Sequence, residues 1–130
     1  MRRSGRRVAL LGWYPPEDPA LPPFIPNLGL YMVAAAARAA GLEDLELRIW
    51  DERERGPEAV AAEVSAFDPD VVAGSAFLWS LPQLTAVIGA LKAEDPGRLA
   101  VLGGPSARVN MLSHPPFAAA ARALDVLVEG

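Results

Sequence analysis

Residues 74–80 read GSAFLWS and residues 101–107 read VLGGPSA, and each stretch abruptly replaces a short apolar run with small residues. The two stretches are one strand–helix–strand repeat apart, so a parallel sheet would bring both of them to the same edge. Small residues at that edge allow a bulky ligand to approach the backbone closely. The pattern predicts a ligand site there, although a glycine pair can also shape a tight turn without any ligand.

Apolar, β-rich runs alternate with alanine-rich helical stretches along the rest of the chain. The patterns predict strands over residues 8–12, 45–50, 70–74, 99–103 and 124–128. They predict helices over residues 28–41, 58–67, 81–95 and 116–123. This alternation predicts an α/β fold, a three-layer doubly wound sandwich of the Rossmann-like or flavodoxin-like type, with a five-stranded parallel sheet of order 2-1-3-4-5.

Local signals refine two of these elements. The first helix has apolar residues at helical spacing, namely Leu28, Met32, Ala35, Ala36 and Ala39. Asn27 can cap its start, and Gly41 ends it. The second strand alternates apolar residues with charged ones, which predicts one wetter face and a position near the edge of the sheet.

The chain of 130 residues has the size of one domain and carries a net charge of −4. Residues 1–7 are predicted to be a basic, disordered tail, and residues 8–130 a single domain that is a fragment of a longer protein. The domain has 8 basic against 16 acidic side chains, which argues against nucleic-acid binding. There is no secretory signal and no apolar run long enough for a membrane span. The absence of cysteine fits a cytoplasmic location and excludes thiolate ligands.

The segment between the first strand and the first helix, residues 13–27, is unusually long for such a connection. It contains six of the thirteen prolines, which predicts a stiff, extended strap that leaves the same sheet edge.

Several ligands that doubly wound sheets commonly bind are disfavoured because their sequence signatures are missing from this chain. A dinucleotide requires GxGxxG after the first strand, where this chain has Gly12-Trp13-Tyr14-Pro15. No Gly-Lys-Ser/Thr is present for a P-loop. The acidic strand ends of a phospho-receiver and the Ser/Thr-rich loop of a flavodoxin are also missing.

The chain resembles the cobalamin-binding domain that lies N-terminal to the radical S-adenosylmethionine (SAM) domain in B12-dependent radical SAM enzymes. The resemblance is carried by PFIPNLGLYM at residues 23–32, AAG at 39–41, FDPDVV at 67–72, LGGP at 102–105 and LVEG at 127–130.

The resemblance implies a slot for the nucleotide tail of cobalamin (vitamin B12). Ser75 would contact the tail, Gly103 and Gly104 would wall the slot, and Gly74 and Ala76 would keep it open. The implied cofactor-binding set also includes Phe77, Pro105 and Asn110. Trp13 and Tyr14 would either line the corrin or anchor the proline strap.

Related mutase-type domains carry a histidine after the first strand as the lower cobalt ligand, and residues 13–27 contain none. The resemblance therefore implies cobalamin bound base-off and His-off, with Trp79 or Leu78 covering the lower face of the cobalt; the alternative for Trp79 is that it packs on the helix that begins at Leu81. The single histidine, His114, lies in another loop and is read as a helix-start residue. No metal ligand is expected in this chain.

The resemblance further implies that the parent protein is a B12-dependent radical SAM methyltransferase with a 4Fe-4S cluster and S-adenosylmethionine, neither of them bound by this chain. The radical SAM domain is expected after Gly130 or on a partner subunit, so this domain alone would be inactive. The alternative is a non-catalytic signalling or protein-interaction module of the same fold.

Overall fold

The computed structural model describes residues 5–20, 27–115 and 117–129 and shows strands and helices in alternation. The strands are β1 (Arg6–Trp13), β2 (Leu45–Glu52), β3 (Val71–Ser75), β4 (Leu99–Gly103) and β5 (Val126–Leu127). The helices are α1 (Leu28–Ala39), α2 (Pro57–Phe67), α3 (Leu81–Glu94), α4 (Val109–Leu112) and α5 (Ala118–Ala121).

The strands form one parallel sheet of order β2-β1-β3-β4-β5, which confirms the predicted fold class and topology. The step from β2 back to β3 on the other side of β1 reverses the direction in which the sheet grows. Doubly wound sheets bind ligands in the crevice at such a reversal, outside the carboxyl ends of the strands. Strand β2 lies at the edge, as its alternating pattern predicts.

The two faces of the sheet are covered differently. Alternate residues of β1 point to opposite faces, so Leu11 and Trp13 join α2 and α3 in the larger core, while Leu10 packs under α1. Within the described residues, α1 is the only helix on its face, and it lies over β1 and β2. The same face of β4 and β5 is left partly exposed, with Leu99 and Val126 each 41% exposed.

Helix α1 exposes the apolar positions that indicated it. Leu28 and Met32 are 62% and 61% exposed, whereas Leu30 and Ala34 are the residues buried against the sheet. The helix is apolar on almost every side, with Arg38 as its single charge, so sequence spacing did not distinguish the inner stripe from the outer one.

Several boundaries differ from the prediction. Strand β1 begins at Arg6, so Arg6 and Arg7 belong to the sheet and not to the predicted tail. The backbone N–H of Arg7 donates to Asp70, and its guanidinium donates to Glu46, which explains how charged residues enter the strand. Residues 1–4 lie outside the described residues, as do residues 21–26 of the proline strap. The rest of the strap, residues 14–20, forms no helix or strand.

The connection from β4 to β5 contains two short helices, α4 and α5, where one helix over residues 116–123 was expected. Strand β5 is also shorter than residues 124–128. The carboxylate of Asp125 fixes this connection, because it accepts hydrogen bonds from Lys92 Nζ at 2.8 Å and from the backbone N–H of Ala100 at 2.7 Å. These bonds hold the pKa of Asp125 below its ordinary value, the lysine bond contributing most.

Arg98 stabilises the sheet at the amino ends of its strands, just before β4. It is only 5% exposed and donates to the carbonyl oxygens of Pro69 and Leu91, both at 3.2 Å. Its guanidinium also pairs with Asp68 and Glu94. The Leu91 carbonyl oxygen also accepts from the backbone N–H of Asp95, so Arg98 is its second donor, whereas the Pro69 carbonyl oxygen takes its hydrogen bond from Arg98.

Candidate functional site at the carboxyl edge of the sheet

A cavity of about 380 Å³ lies at the carboxyl edge of the sheet, where β1, β3 and the start of α1 meet. This is the reversal point of the strand order. We call it the edge cavity; it is lined by Trp13, Tyr14, Asn27, Leu28, Gly29, Ser75, Phe77, Trp79, Gly104 and Pro105. Most of these residues are apolar, and Tyr14, Asn27 and Ser75 supply the polar side-chain groups.

Asn27 and Ser75 line the edge cavity, and Gly12 lies behind Asn27 at the end of β1. A Cβ added to Gly12 would lie 2.6 Å from Asn27 Nδ2 and 2.8 Å from Leu30 Cδ1. The end of β1 is therefore a glycine because α1 begins directly against it. Ser75, the last residue of β3, donates from Oγ to Asn27 Oδ1 at 3.4 Å, which is a long hydrogen bond.

Tyr14 connects the strap to the sheet. Its Oη accepts a hydrogen bond from the backbone N–H of Asn27 at 2.8 Å and donates to Asp51 Oδ2 at 2.7 Å. The guanidinium of Arg53 lies 5.1 Å from the centre of the phenol ring. Burial, followed by the hydrogen bond to Asp51, raises the pKa of Tyr14 above its ordinary value, so the phenol stays protonated at neutral pH.

Two stacked aromatic rings form one wall. The rings of Phe77 and Trp79 are 4.8 Å apart between centroids and nearly parallel, at 7°. Trp79 Nε1 donates to the carbonyl oxygen of Trp13 at 2.9 Å, which ties the loop after β3 to the end of β1. The buried Ser80 shapes this loop, because its Oγ accepts from the Phe77 N–H at 2.9 Å and lies 3.1 Å from the Ser75 carbonyl oxygen.

The loop after β4 requires glycine at one position only. Gly104 has φ +103°, and a Cβ there would lie 2.7 Å from the carbonyl oxygen and 2.8 Å from the backbone nitrogen of Ala76. Ala76 is itself held on both sides, since its N–H donates to the Gly103 carbonyl and its carbonyl accepts from the Ser106 N–H. At Gly103, an added Cβ would meet only Val128, at 3.8 Å, which is an ordinary contact.

The sequence therefore locates the edge cavity but not every residue around it. Seven of the predicted residues line it, namely Trp13, Tyr14, Ser75, Phe77, Trp79, Gly104 and Pro105. The other five, Gly74, Ala76, Leu78, Gly103 and Asn110, do not line it. Binding of a cofactor by any of the twelve stays a prediction.

The predicted residues that do not line the edge cavity either pack in the core or are exposed elsewhere. A Cβ on Gly74 would lie 2.9 Å from Leu84 Cδ2 and 3.2 Å from Leu102 Cδ1, so this glycine makes room for α3 and the core and does not open the edge cavity. Ala76 is fully buried in the same core. Leu78 and Asn110 are exposed. Gly74 and Ala76 thus pack in the core, and their expected role in keeping a slot open for the cofactor stays a prediction.

Asn27, Leu28 and Gly29 line the edge cavity although sequence reasoning did not assign them to it. They lie within the resemblance segment at residues 23–32, which was the available signal. Asn27 was expected to cap α1, but it makes no side-chain capping hydrogen bond. Its side chain is turned toward Ser75 instead.

Metal-binding groups are not concentrated in the described residues. No set of three or more His, Cys, Asp or Glu side chains is placed to hold a metal ion in residues 5–20, 27–115 and 117–129. His114 lies between α4 and α5, is exposed and does not line the edge cavity; its carbonyl oxygen accepts from the N–H groups of Phe117 and Ala118.

A larger, open groove of about 990 Å³ lies at the opposite, amino edge of the sheet and is bordered mainly by polar and charged residues. Of its two arginines, Arg6 and Arg98, the second is already engaged by carbonyl groups and carboxylates. Since open α/β sheets bind ligands at the carboxyl ends of their strands, the edge cavity is the stronger candidate despite its smaller volume.

Two comparisons with known proteins found similar proteins. A family model described as "B12 binding domain" matches residues 21–126 of the chain. A 1.5 Å crystal structure of a novel cobalamin-binding protein from Desulfitobacterium hafniense DCB-2 has a similar fold, with a TM-score of 0.58 and 18% sequence identity. The superposition covers 95% of this chain and 52% of that one, so this chain spans about half the length of that protein.

A search of curated proteins gave no match. In the part of the chain that the structure describes, no helix has the length and hydropathy required to cross a membrane.

Proposed function

Because the chain belongs to the B12 binding domain family, through a match over residues 21–126, we propose that it binds cobalamin at the edge cavity in the base-off, His-off mode. The observation that carries this proposal is that the family match coincides with a mostly apolar cavity at the reversal point of the sheet.

The residues present fit part of the cofactor. A cavity of about 380 Å³ lies at the lower end of the range for a drug-sized ligand, roughly 300–1,000 Å³. Cobalamin is larger than such a ligand, so the cavity suits its nucleotide tail, with the corrin ring outside at the mouth. Apolar and aromatic walls suit the benzimidazole base, and the few polar groups suit the oxygen-rich ribose and phosphate.

The His-off mode rests on the position of the single histidine of the chain. His114 lies in the connection after α4 and away from the edge cavity, so it is not placed to reach a cobalt at the mouth. Of Trp79 and Leu78, the two residues expected to cover the lower face of the cobalt, we propose Trp79. Its ring is held at the cavity by Phe77 and Trp13, whereas Leu78 is 66% exposed and does not line the cavity.

We extend the proposal to the parent protein, a B12-dependent radical SAM methyltransferase with a 4Fe-4S cluster and S-adenosylmethionine in a partner domain or subunit. When bound, cobalamin would supply a cobalt-bound methyl group for transfer. The sequence resemblance supports this extension, and so does the exposed outer face of α1. Leu28 lies both on that face and at the edge cavity, so a partner packed on α1 would also reach the cofactor.

The experiment is a titration of the purified chain with hydroxocobalamin and methylcobalamin, followed by visible absorption. Binding with a base-off spectrum is the expected result. A Ser75→Leu variant, which places a bulky side chain in the edge cavity, should lose binding, and Ser113→Leu, at an exposed position away from the cavity, should keep it. An interaction module without a cofactor would give no spectral change with any of the three proteins.

The axial ligand is tested separately by electron paramagnetic resonance of the bound Co(II) form. In the His-off, base-off mode no nitrogen coordinates the lower face, so the cobalt lines should carry no nitrogen superhyperfine splitting. Splitting that persists in a His114→Gln variant would indicate the benzimidazole base, and splitting lost in that variant would indicate the histidine. Either result would contradict the proposed mode.

A further inference from the structure

Asn27 occupies the N-cap position of α1 but does not use its side chain as a cap. Asparagine is favoured at this position because its side-chain oxygen accepts a hydrogen bond from the first turn of the helix. Here Oδ1 faces Ser75 Oγ, and Nδ2 lies beside Gly12. The local capping interaction has been given up, so tertiary structure decides where this side chain lies.

The amide of Asn27 has spare donor capacity. Oδ1 accepts from Ser75, but among the described residues Nδ2 donates no hydrogen bond. The side chain is partly exposed and lines the edge cavity, whose walls are otherwise mostly apolar. The two N–H donors of a side chain that lines such a cavity suit an oxygen acceptor of a ligand.

A separate set of contacts fixes the position of Asn27. Its backbone N–H donates to Tyr14 Oη, which in turn donates to Asp51 Oδ2. The other carboxylate oxygen of Asp51 is buried and has no hydrogen-bond partner in the described structure, so the bond from Tyr14 offsets part of the free-energy cost of burying this carboxylate. The tyrosine thereby joins the end of β1 to the beginning of α1 across the strap.

We propose that the side-chain amide of Asn27 donates a hydrogen bond to an oxygen of the cobalamin nucleotide tail, and that Tyr14 is the positioning residue that holds Asn27 in place. This inference rests on the proposed function. The tail is the favoured part of the cofactor because the edge cavity is too small for the corrin, whose peripheral amides carry the competing oxygen acceptors.

The test compares two probes, cobalamin and cobinamide, since cobinamide keeps the corrin but lacks the nucleotide tail. The two variants of Asn27 are Asn27→Leu, which removes the amide, and Asn27→Asp, which replaces its donor by an acceptor. The loss of one hydrogen bond predicts cobalamin binding that is about 3- to 10-fold weaker in Asn27→Leu, and weaker still in Asn27→Asp. Affinity for cobinamide should stay within about twofold of that of the unaltered protein.

Asn27→Asp also separates binding from folding. Aspartate caps helices as well as asparagine does, and its negative charge is favoured at a helix start, so this variant should be at least as stable to urea as the unaltered protein. A variant that keeps its stability and loses affinity only for the probe with a tail cannot be explained by a structural role.

Tyr14→Phe is the matching test of the positioning role. It should weaken cobalamin binding in the unaltered background and add little in the Asn27→Leu background, because both changes remove the same interaction. Additive effects would overturn the role of Tyr14.

The remaining outcomes are also decisive. Equal losses for cobalamin and cobinamide would place the contact on the corrin and overturn the assignment to the tail. If Asn27→Asp binds cobalamin as tightly as the unaltered protein, the inference is wrong while the proposed function stands. If the unaltered protein binds neither probe, the proposed function fails and the inference fails with it.

Discussion

Gly103 and Gly104 are adjacent in the sequence, but only Gly104 lacks room for a Cβ, so alanine substitution should affect stability differently at the two positions. Gly104→Ala places a methyl group 2.7–2.8 Å from the backbone oxygen and nitrogen of Ala76, at φ +103°. Ala76 cannot move away freely, because its N–H and its carbonyl are both hydrogen-bonded to the loop after β4. Gly103→Ala adds a methyl group that meets only Val128, at 3.8 Å.

The magnitude follows from two costs. A left-handed backbone conformation costs an alanine about 1–2 kcal/mol, and forcing an extra methyl group into a packed site costs about 1–3 kcal/mol more. We therefore expect Gly104→Ala to lower the free energy of unfolding by about 2–5 kcal/mol, a large part of the roughly 5–15 kcal/mol of a typical domain. For Gly103→Ala we expect a change within about 0.5 kcal/mol.

Urea unfolding followed by circular dichroism measures both variants under the same conditions. With a denaturant slope of about 2 kcal/mol per molar, the midpoint of Gly104→Ala should fall by about 1–2.5 M, and that of Gly103→Ala should hardly move. Equal midpoints for the two variants would refute the reasoning, since they would show that the loop accepts a side chain at Gly104 without strain. A lower midpoint for Gly103→Ala than for Gly104→Ala would refute it as well.

Three further substitutions test other contacts through urea unfolding. Ser80→Ala leaves the partly buried N–H of Phe77 without its acceptor and should lower the free energy of unfolding by about 1–3 kcal/mol. Ser113→Ala, at an exposed position, should lower it by less than about 1 kcal/mol. Arg98→Met removes the donor from the Pro69 carbonyl oxygen and one of the two donors from that of Leu91, and should cost about 2 kcal/mol. The exposed Arg122→Met is a nearly silent control, and equal effects of the two substitutions would contradict the role of the buried guanidinium. Folding lowers the pKa of Asp125, so the contribution of this carboxylate to stability is complete above about pH 5 and declines as the pH falls below the ~3.9 of an unfolded aspartate. The stability deficit of Asp125→Asn should therefore be largest at neutral pH and shrink in acid. A deficit that does not depend on pH would contradict this reasoning.

The fold could be predicted because its signals are local. Continuous apolar runs indicate strands that are buried on both faces, and the helices between them impose parallel pairing. The charged alternation of β2 even indicated its position at the edge. The prediction was weaker where a pattern had two solutions. In α1, which is apolar on nearly all sides, only the position of the sheet shows that Leu30 and Ala34 face inward and that Leu28 and Met32 face outward.

The candidate site was partly predictable for the same reason. Small residues after β3 and β4 are gathered at one edge by the topology alone, and five of the ten residues named from these two segments line the edge cavity. Which glycine the loop requires was not predictable. That depends on the φ angle of Gly104 and on the peptide of Ala76, a segment that is distant in sequence and close only in the folded chain.

The sequence by itself determined the α/β class, the strand order, the edge that bears the candidate site and the absence of a histidine from the strap, because periodicity and composition are properties of the chain. Only the tertiary structure brought Asn27 beside Ser75, 48 residues away, and linked Tyr14 to Asp51, 37 residues away. The first contact depends on the pairing of β1 with β3 and on the start of α1, and the second on the pairing of β1 with β2; these pairings set distances that no local pattern encodes. For that reason the sequence assigned Asn27 to a helix cap, while in the folded chain its side chain lines the edge cavity and contacts Ser75.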